Sequence, residues 1–493
     1  MSRPATRLAQ ADRAPTPLAG TGVLVLLLAF AVLVRMWDFG NPTVHVDEEY
    51  YLLVGDRLLR GAIPYVDIWD RKPVGLFLIF ACIRLLPGNG VLAYQLVATG
   101  CAASTAALVA GAGRKLGATP GAAIAAALAY ILWLSFLSGR GGQSPVFYNL
   151  FMAGGAYLTL SLPERADRGD RRGILLSGTI ACLLAGLAIQ IKYTPAVEGA
   201  FFGLAHLWHL RRAGGRPALL TAAALLWVLL GAVPTVVIAL AYHARGPAAF
   251  DAFWFANFTS VSLRRSYPAA KIATRLAGTS AQLSPFILLG ATIVRREGSR
   301  PEVRLALAWL CAALIAFAAI GAFFDHYALP LVAPMAVLAA PALHDRARCA
   351  ALLIAAAILA SFHLATESDD RAGAFAIAEV MIEHRGKGCP YVHAGDAVLY
   401  LLADACLPTR YAFPSTLAYE AERGATGTDE AREVQRIMTC RPPVVVTMDH
   451  PLAPWNAASH AIVADALRRD YRLALSVPRG PDHLLAYVRR HAR

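Results

Sequence analysis

Apolar residues in this chain gather into about a dozen runs, most close to 20 residues long, and this spacing limits the fold more than any motif does. A helix of about 20 apolar residues spans the roughly 30 Å hydrocarbon core of a bilayer. No water satisfies the backbone there, so each run must close its own hydrogen bonds as a helix. With 57% hydrophobic and 16% charged residues, the 493-residue chain has too little polar surface to cover a soluble core of its size. The expected architecture is a polytopic α-helical membrane protein.

The first run, 18–34, follows an arm carrying Arg3, Arg7 and Arg13 and has no small-x-small cleavage site before Arg35. It reads as an uncleaved transmembrane helix. Further runs lie near 74–86, 91–112, 118–138, 145–162, 174–190, 195–210, 218–242, 276–294, 303–322, 328–343 and 349–364. Basic clusters at 114–115, 165–172, 211–216, 295–304 and 346–348 fall in alternate loops. The positive-inside rule places those loops and the N-terminus in the cytoplasm. Parity then requires an odd number of crossings between an outside segment 37–73 and the inside pair Arg114 and Lys115. The run at 74–86 is short, about 13 residues, and sits between Lys72-Pro73 and a Pro-Gly-Asn-Gly stretch. It is assigned as a juxtamembrane or re-entrant helix. About 11 transmembrane helices remain, with the C-terminal region outside.

The same bias accounts for the formal net charge of +13. No basic stripe with interleaved aromatic residues accompanies it, which argues against nucleic acid as a partner. Eight scattered cysteines, none in CxxC spacing, argue against a zinc site. Past residue 364 the composition becomes that of ordinary soluble sequence. The chain divides into a membrane domain, 1–364, and a small soluble α/β domain, 365–493. Strands are expected at 391–394, 443–448, 471–477 and 483–488, with helices near 396–404 and 457–469. Cys389, Cys406 and Cys440 form an odd set. A Cys389–Cys406 disulfide in an oxidising compartment and free buried thiols both fit.

Segment 37–73 carries the chemistry. It holds Asp47, Glu48, Glu49, Asp56, Asp67 and Asp70, then Arg71-Lys72-Pro73 at the edge of an apolar helix. Asp47 and Glu48 precede Tyr50-Tyr51 and a helical pattern to Leu59, which Gly61 ends. Carboxylates at a membrane surface with a cation nearby can activate a hydroxyl while the cation holds a phosphate. The competing account is a solvated acidic face with i,i+4 ion pairs, and it suits Glu49, Asp56 and Asp67 best.

The pattern His45-x-Asp47-Glu48-Glu49-Tyr50-Tyr51, then Gly61-x-x-Pro64-Tyr65-x-Asp67, then Lys72-Pro73, resembles the first periplasmic loop of one enzyme family. These are the protein O-mannosyltransferases and lipid A aminoarabinose transferases, membrane glycosyltransferases of the GT-C superfamily. The resemblance implies a GT-C fold and transfer of a sugar from a polyprenyl-phosphate carrier to an acceptor hydroxyl. The reaction would lie at the periplasmic face of a bacterial inner membrane and invert the anomeric centre. It implies Asp47, with Glu48 beside it, as the catalytic carboxylate, and Lys72 as a ligand of the carrier phosphate. Val74 stands where the family has the second proline of Lys-Pro-Pro. Tyr50, Asp67, Asp70 and Arg71 join the substrate-binding candidates. The acceptor is a glycolipid, a polysaccharide or a protein.

Other candidates lie in later outside loops. Arg140 contacts sugar or phosphate, or is an interfacial arginine. The loop 139–149 that carries it has no carboxylate, so no metal is expected, and no other cofactor. Lys192, at the outer end of a span, is functional or snorkels toward Glu198. Arg264 and Arg265 follow Phe250, Phe253, Trp254, Phe255 and Phe258; they bind phosphate or anchor an interfacial helix. His326 and Tyr327, in Phe324-Asp325-His326-Tyr327, resemble a family position lining the carrier groove. A transporter or flippase of a lipid-linked saccharide is the competing class. The long acidic loop, the C-terminal domain and the lack of an evident inverted repeat weigh against it. The expected orientation is open to reporter fusion: alkaline phosphatase joined after Asp404 should be active and after Arg168 inactive. The reverse pattern would overturn it.

Overall fold

A computed structural model describes residues 17–366 and 368–490. The arm with Arg3, Arg7 and Arg13 lies outside the described residues. Each run expected to span is helical: Pro17–Arg35, Val91–Lys115, Pro120–Phe136, Ser144–Thr159, Arg171–Ile189, Pro195–Arg212, Pro217–Ala244, Ala269–Glu297, Pro301–Ile320, Leu329–Ala339 and Arg346–Thr366. Several begin with proline in the first turn, including Pro120, Pro195, Pro217 and Pro301, where a missing N–H costs nothing. Among the described residues, eight helices are long and apolar enough to cross a membrane. Pro120–Phe136 and Ser144–Thr159 are shorter, and Pro195–Arg212 carries more polar residues. Pro217–Ala244 and Arg346–Thr366 expose large apolar side chains such as Leu225, Val228, Ile358 and Phe362. A surface of that kind belongs against lipid.

Two further helices lie in the first long loop. Val46–Leu59 packs on Val74–Arg84, whose 11 residues reach only about 16 Å, half the depth of a bilayer core. Gly55 permits the crossing. A Cβ there would lie 2.7 Å from both Ala81 N and Phe80 C.

The loops after Pro17–Arg35, Pro120–Phe136, Arg171–Ile189, Pro217–Ala244 and Pro301–Ile320 gather on one face. Arg35 donates to Gly139 O at 2.8 Å and Gly141 O at 2.6 Å, and Leu76 N donates to Gln190 O at 3.1 Å. Tyr242 donates through its hydroxyl to Pro64 O at 3.0 Å, and Ser138 to Asp325 at 2.6 Å. The C-terminal sheet lies over the same face. It has four strands in the order β1-β2-β4-β3: β1 (Tyr391–Val392), β2 (Val444–Met448), β3 (Tyr471–Arg479) and β4 (Asp482–Arg489). β1 and β2 run parallel, and β4 is antiparallel to both β2 and β3. The expected helices appear as Val398–Leu402 and Ala457–Asp470, and Cys389 is disulfide-bonded to Cys406. Two helices of this region, Arg371–Glu383 and Glu430–Thr439, are additions to the expected set.

Gly55→Leu should separate the two loop helices and destabilise the protein by about 1–3 kcal/mol, the range of core overpacking. Thermal unfolding in detergent measures this, and an unchanged midpoint would show the crossing is looser.

Candidate active site

The helix Val46–Leu59 starts at His45, whose extended backbone leaves its imidazole to cap the first turn. Asp47 N donates to His45 Nδ1 at 3.2 Å, and Gln143 Nε2 lies 2.7 Å from the same nitrogen. That nitrogen is therefore an acceptor. Burial and the neighbouring His326 hold the His45 imidazole down at about 4, so the ring is neutral. Asp47 then sits in the first turn, where the helix N-terminus favours a carboxylate. His326 Nε2 lies 3.8 Å from Asp47 Oδ2. Asp325 orients His326 from behind: its Oδ1 accepts the His326 backbone N–H at 2.8 Å and lies 3.5 Å from Nδ1. The His45 and His326 rings meet edge to face, centroids 5.0 Å apart.

The loop's far end is brought back by side-chain to backbone bonds. Tyr50 donates through its hydroxyl to Trp69 O at 2.7 Å, and Tyr65 to Lys72 O at 2.7 Å. Tyr65 takes a left-handed backbone, φ 69°, a costly conformation for a bulky residue, which the packing of its buried ring holds. Ser138 and Phe323, in the facing loops, are also left-handed. Gly75 lets this turn lie on the next loop, since a Cβ there would meet Gln190 O at 2.6 Å. Lys72 and Lys192 consequently face one another's surroundings. Lys72 Nζ lies 5.3 Å from the Tyr51 ring centroid, and Lys192 Nζ lies 4.5 Å from that of Tyr327, both cation–π distances.

These charges set one another's protonation. Burial would raise the Asp47 carboxyl, but the Lys72 ammonium holds it well below the usual carboxylate range. Burial would likewise lower the Lys72 ammonium, but Tyr51, Asp47 and Asp70 hold it well above its ordinary value. Lys192 is pushed down to about 7 by burial and by the like charge of Lys72. The site therefore holds a fixed anion, a fixed cation, and a second cation poised to charge when an anion arrives. Glu48 differs from its neighbour. Its carboxyl is packed against Gly141 with no hydrogen-bond partner, and burial raises it to about 8. Adjacent carboxyls pushed apart in this way are a signature of divided roles.

Of the residues expected at a site, Asp47, Lys72, Lys192, His326 and Tyr327 come together, with Asp70 near Lys72. The others have different partners. Tyr50 is spent on the Trp69 carbonyl, and Asp67 accepts from Ile63 N at 2.7 Å within its own turn. Arg71 donates to Glu422 at 2.7 Å, to Ala425 O and to Ser260. Arg264 holds the other oxygen of Glu422 at 2.7 Å and also reaches the Tyr327 hydroxyl at the edge of the cluster, and Arg265 pairs with Glu420. Arg140 lies 3.2 Å from Asp38. Lys192 does not pair with Glu198, which accepts from Trp309 Nε1 at 2.7 Å. His45, Gln143, Ser138 and Asp325 had no role assigned from the sequence. A histidine directly before an acidic first turn was the available signal for His45. The rest depend on loop contacts. A metal would find three ligand groups at Asp449, His450 and Asp482, in the C-terminal sheet region. Among the described residues, no such group lies at Asp47.

ArnT from Cupriavidus metallidurans, a lipid A aminoarabinose transferase solved in the apo state, superposes on 95% of this chain and 98% of its own, with a TM-score of 0.58 at 14% identity. The chain has the GT-C fold. The Archaeoglobus fulgidus oligosaccharyltransferase, solved with Zn and sulfate, gives a TM-score of 0.49 at 12% identity over 86% of this chain and 68% of that one. No protein-family model and no curated protein sequence matches the chain. The likeness to ArnT covers both the helical region and the C-terminal sheet, so the GT-C frame expected from the first loop is the frame observed.

Proposed function

We propose that this protein is a membrane glycosyltransferase that moves a sugar from a polyprenyl-phosphate carrier to an acceptor hydroxyl at the periplasmic face of a bacterial inner membrane. The observation that carries this is a chain of contacts in which Asp47 lies 3.8 Å from His326, the His326 ring meets that of Tyr327 at 4.5 Å, and Lys192 lies over the same Tyr327 ring, with Lys72 close enough to act on the Asp47 charge. Asp47 and Lys72 come from opposite ends of one loop and bound a single charged cluster on the face where the loops gather. The GT-C fold shared with ArnT supports the reading. The N-terminus and the basic loops are cytoplasmic in this proposal, and residues 365–493 form a separate domain on the periplasmic side.

The donor is activated at its anomeric carbon because a phosphate leaves. Lys72, with Lys192 beside it, offsets the charge that the phosphate gains as the bond breaks. Asp47 takes the hydrogen bond of the acceptor hydroxyl and orients it for attack. A carboxylate held this low is a weak base while its cations are free. The departing phosphate neutralises those cations and adds negative charge beside them, so Asp47 gains basicity as the donor breaks. His326, held by Asp325, stands within reach of the same proton. A single displacement inverts the anomeric centre.

Asp47→Asn should lower transfer from tritium-labelled undecaprenyl-phosphate sugars by about a hundredfold or more while the protein stays folded. Near-normal turnover would sink the assignment. In the same assay a flippase leaves the donor intact, so donor cleavage by the wild type separates the two classes. Lys192 sets a pH dependence. Its free value near 7 rises when a phosphate binds, so binding takes up a proton above that pH. Affinity for farnesyl phosphate should fall by up to about tenfold per pH unit above neutrality, where the phosphate is already a dianion. Lys192→Arg should flatten that slope, and a slope unchanged in the variant would remove Lys192 from the phosphate site.

A further inference from the structure

Arg479 stands at the tip of the β3–β4 hairpin and reaches across to the start of the helix that bears Asp47. Within its own region it is held rigidly. Its Nε lies 3.1 and 3.0 Å from the two oxygens of Asp396, its Nη2 is 2.8 Å from Asp396 Oδ1, and its Nη1 is 2.8 Å from Asp370 Oδ2. Gly480 N donates to that same Asp370 oxygen at 3.1 Å. The free edge of the guanidinium faces the first loop, where Nη2 donates to Thr43 O at 3.3 Å and lies 3.8 Å from Glu49 Oε1. Thr43 lies two residues before His45, and Glu49 two residues after Asp47. One nitrogen thus brackets both the cap and the carboxylate of the proposed site.

Glu49 gives this contact its weight. Its side chain is fully buried, and neither oxygen has a hydrogen-bond partner. Burial and the neighbouring Asp396 push the Glu49 carboxyl well above its ordinary range, and Arg479 is the cation that opposes this, so the arginine is the group that steadies Glu49 in this turn. The C-terminal region does not depend on Arg479 for attachment. Arg60 pairs with Asp404 at 2.7 Å, Trp69 N donates to Arg410 O at 2.9 Å, and Arg71 holds Glu422. Losing the arginine should therefore loosen one turn and leave the docking in place.

We infer that Arg479 is a positioning residue through which the C-terminal sheet sets the placement of Asp47. This rests on the transfer reaction proposed above. The test uses the full chain in detergent, with tritium-labelled undecaprenyl-phosphate glucose, mannose and aminoarabinose as donor probes, and hydrogen–deuterium exchange as a readout independent of turnover. Arg479→Gln should lower kcat about tenfold to a hundredfold, the scale of a small displacement of a catalytic group, with the donor KM changed by less than about threefold. Amide exchange in residues 43–52 should speed up about tenfold, while the long helices exchange as before. Adding Glu49→Gln should recover part of kcat, because the turn no longer buries an acidic side chain without its cation. Arg60→Gln, at the other end of the same helix, should show neither effect. Unchanged exchange at 43–52, or an unchanged kcat in Arg479→Gln, overturns the inference. A wild type inactive with every probe, but with the exchange difference present, refutes the transfer reading and leaves the clasp standing.

Discussion

The structure turns on a cluster of half-buried charges of opposite sign where the loops gather. An isolated carboxylate or ammonium taken out of water costs several kcal/mol, and the cost is met only by a partner of opposite sign. Asp47 and Lys72 lie near enough to favour each other's charged form, yet they stand at opposite ends of a loop that must fold back to bring them near. Much of the loop's composition serves that return. Tyr50 and Tyr65 donate to backbone carbonyls at its far end, Gly55 lets its helix cross the next, and Gly75 lets its end rest on the loop that brings Lys192.

A second consequence concerns the histidines. His45 caps the helix with the nitrogen that would otherwise be free to bind a proton, so it is fixed as a neutral acceptor. His326 is held differently, from behind by Asp325 and with its other nitrogen toward Asp47. Two imidazoles 5.0 Å apart thereby have distinct surroundings. Glu48 and Asp47 repeat the pattern. They are neighbours in sequence, but one faces the interior of a helix packing and the other the charged cluster, and their protonation diverges accordingly.

The arginines show what local reading does not reveal. Arg71 and Arg264 have the charge and position of phosphate ligands, and nothing near either in sequence says otherwise. Both are held by Glu422, more than 150 residues away. Lys192 and Glu198 are close enough in sequence to pair, but the helix start between them turns the carboxylate toward Trp309 and leaves the lysine at the site.

The membrane helices and the strands of the C-terminal sheet were legible in the sequence, though not every helix length, because hydrophobic periodicity is local and each element is dictated by residues a few positions apart. Asp47 and Lys72 were legible for a related reason: the loop's motif keeps both in one short segment. Which loops share a face, which cations share an acidic partner, and that Arg479 reaches back to Thr43 and Glu49 were decided only by the tertiary structure. Ion pairing depends on distance in space, and the chain reverses direction many times between one partner and the other.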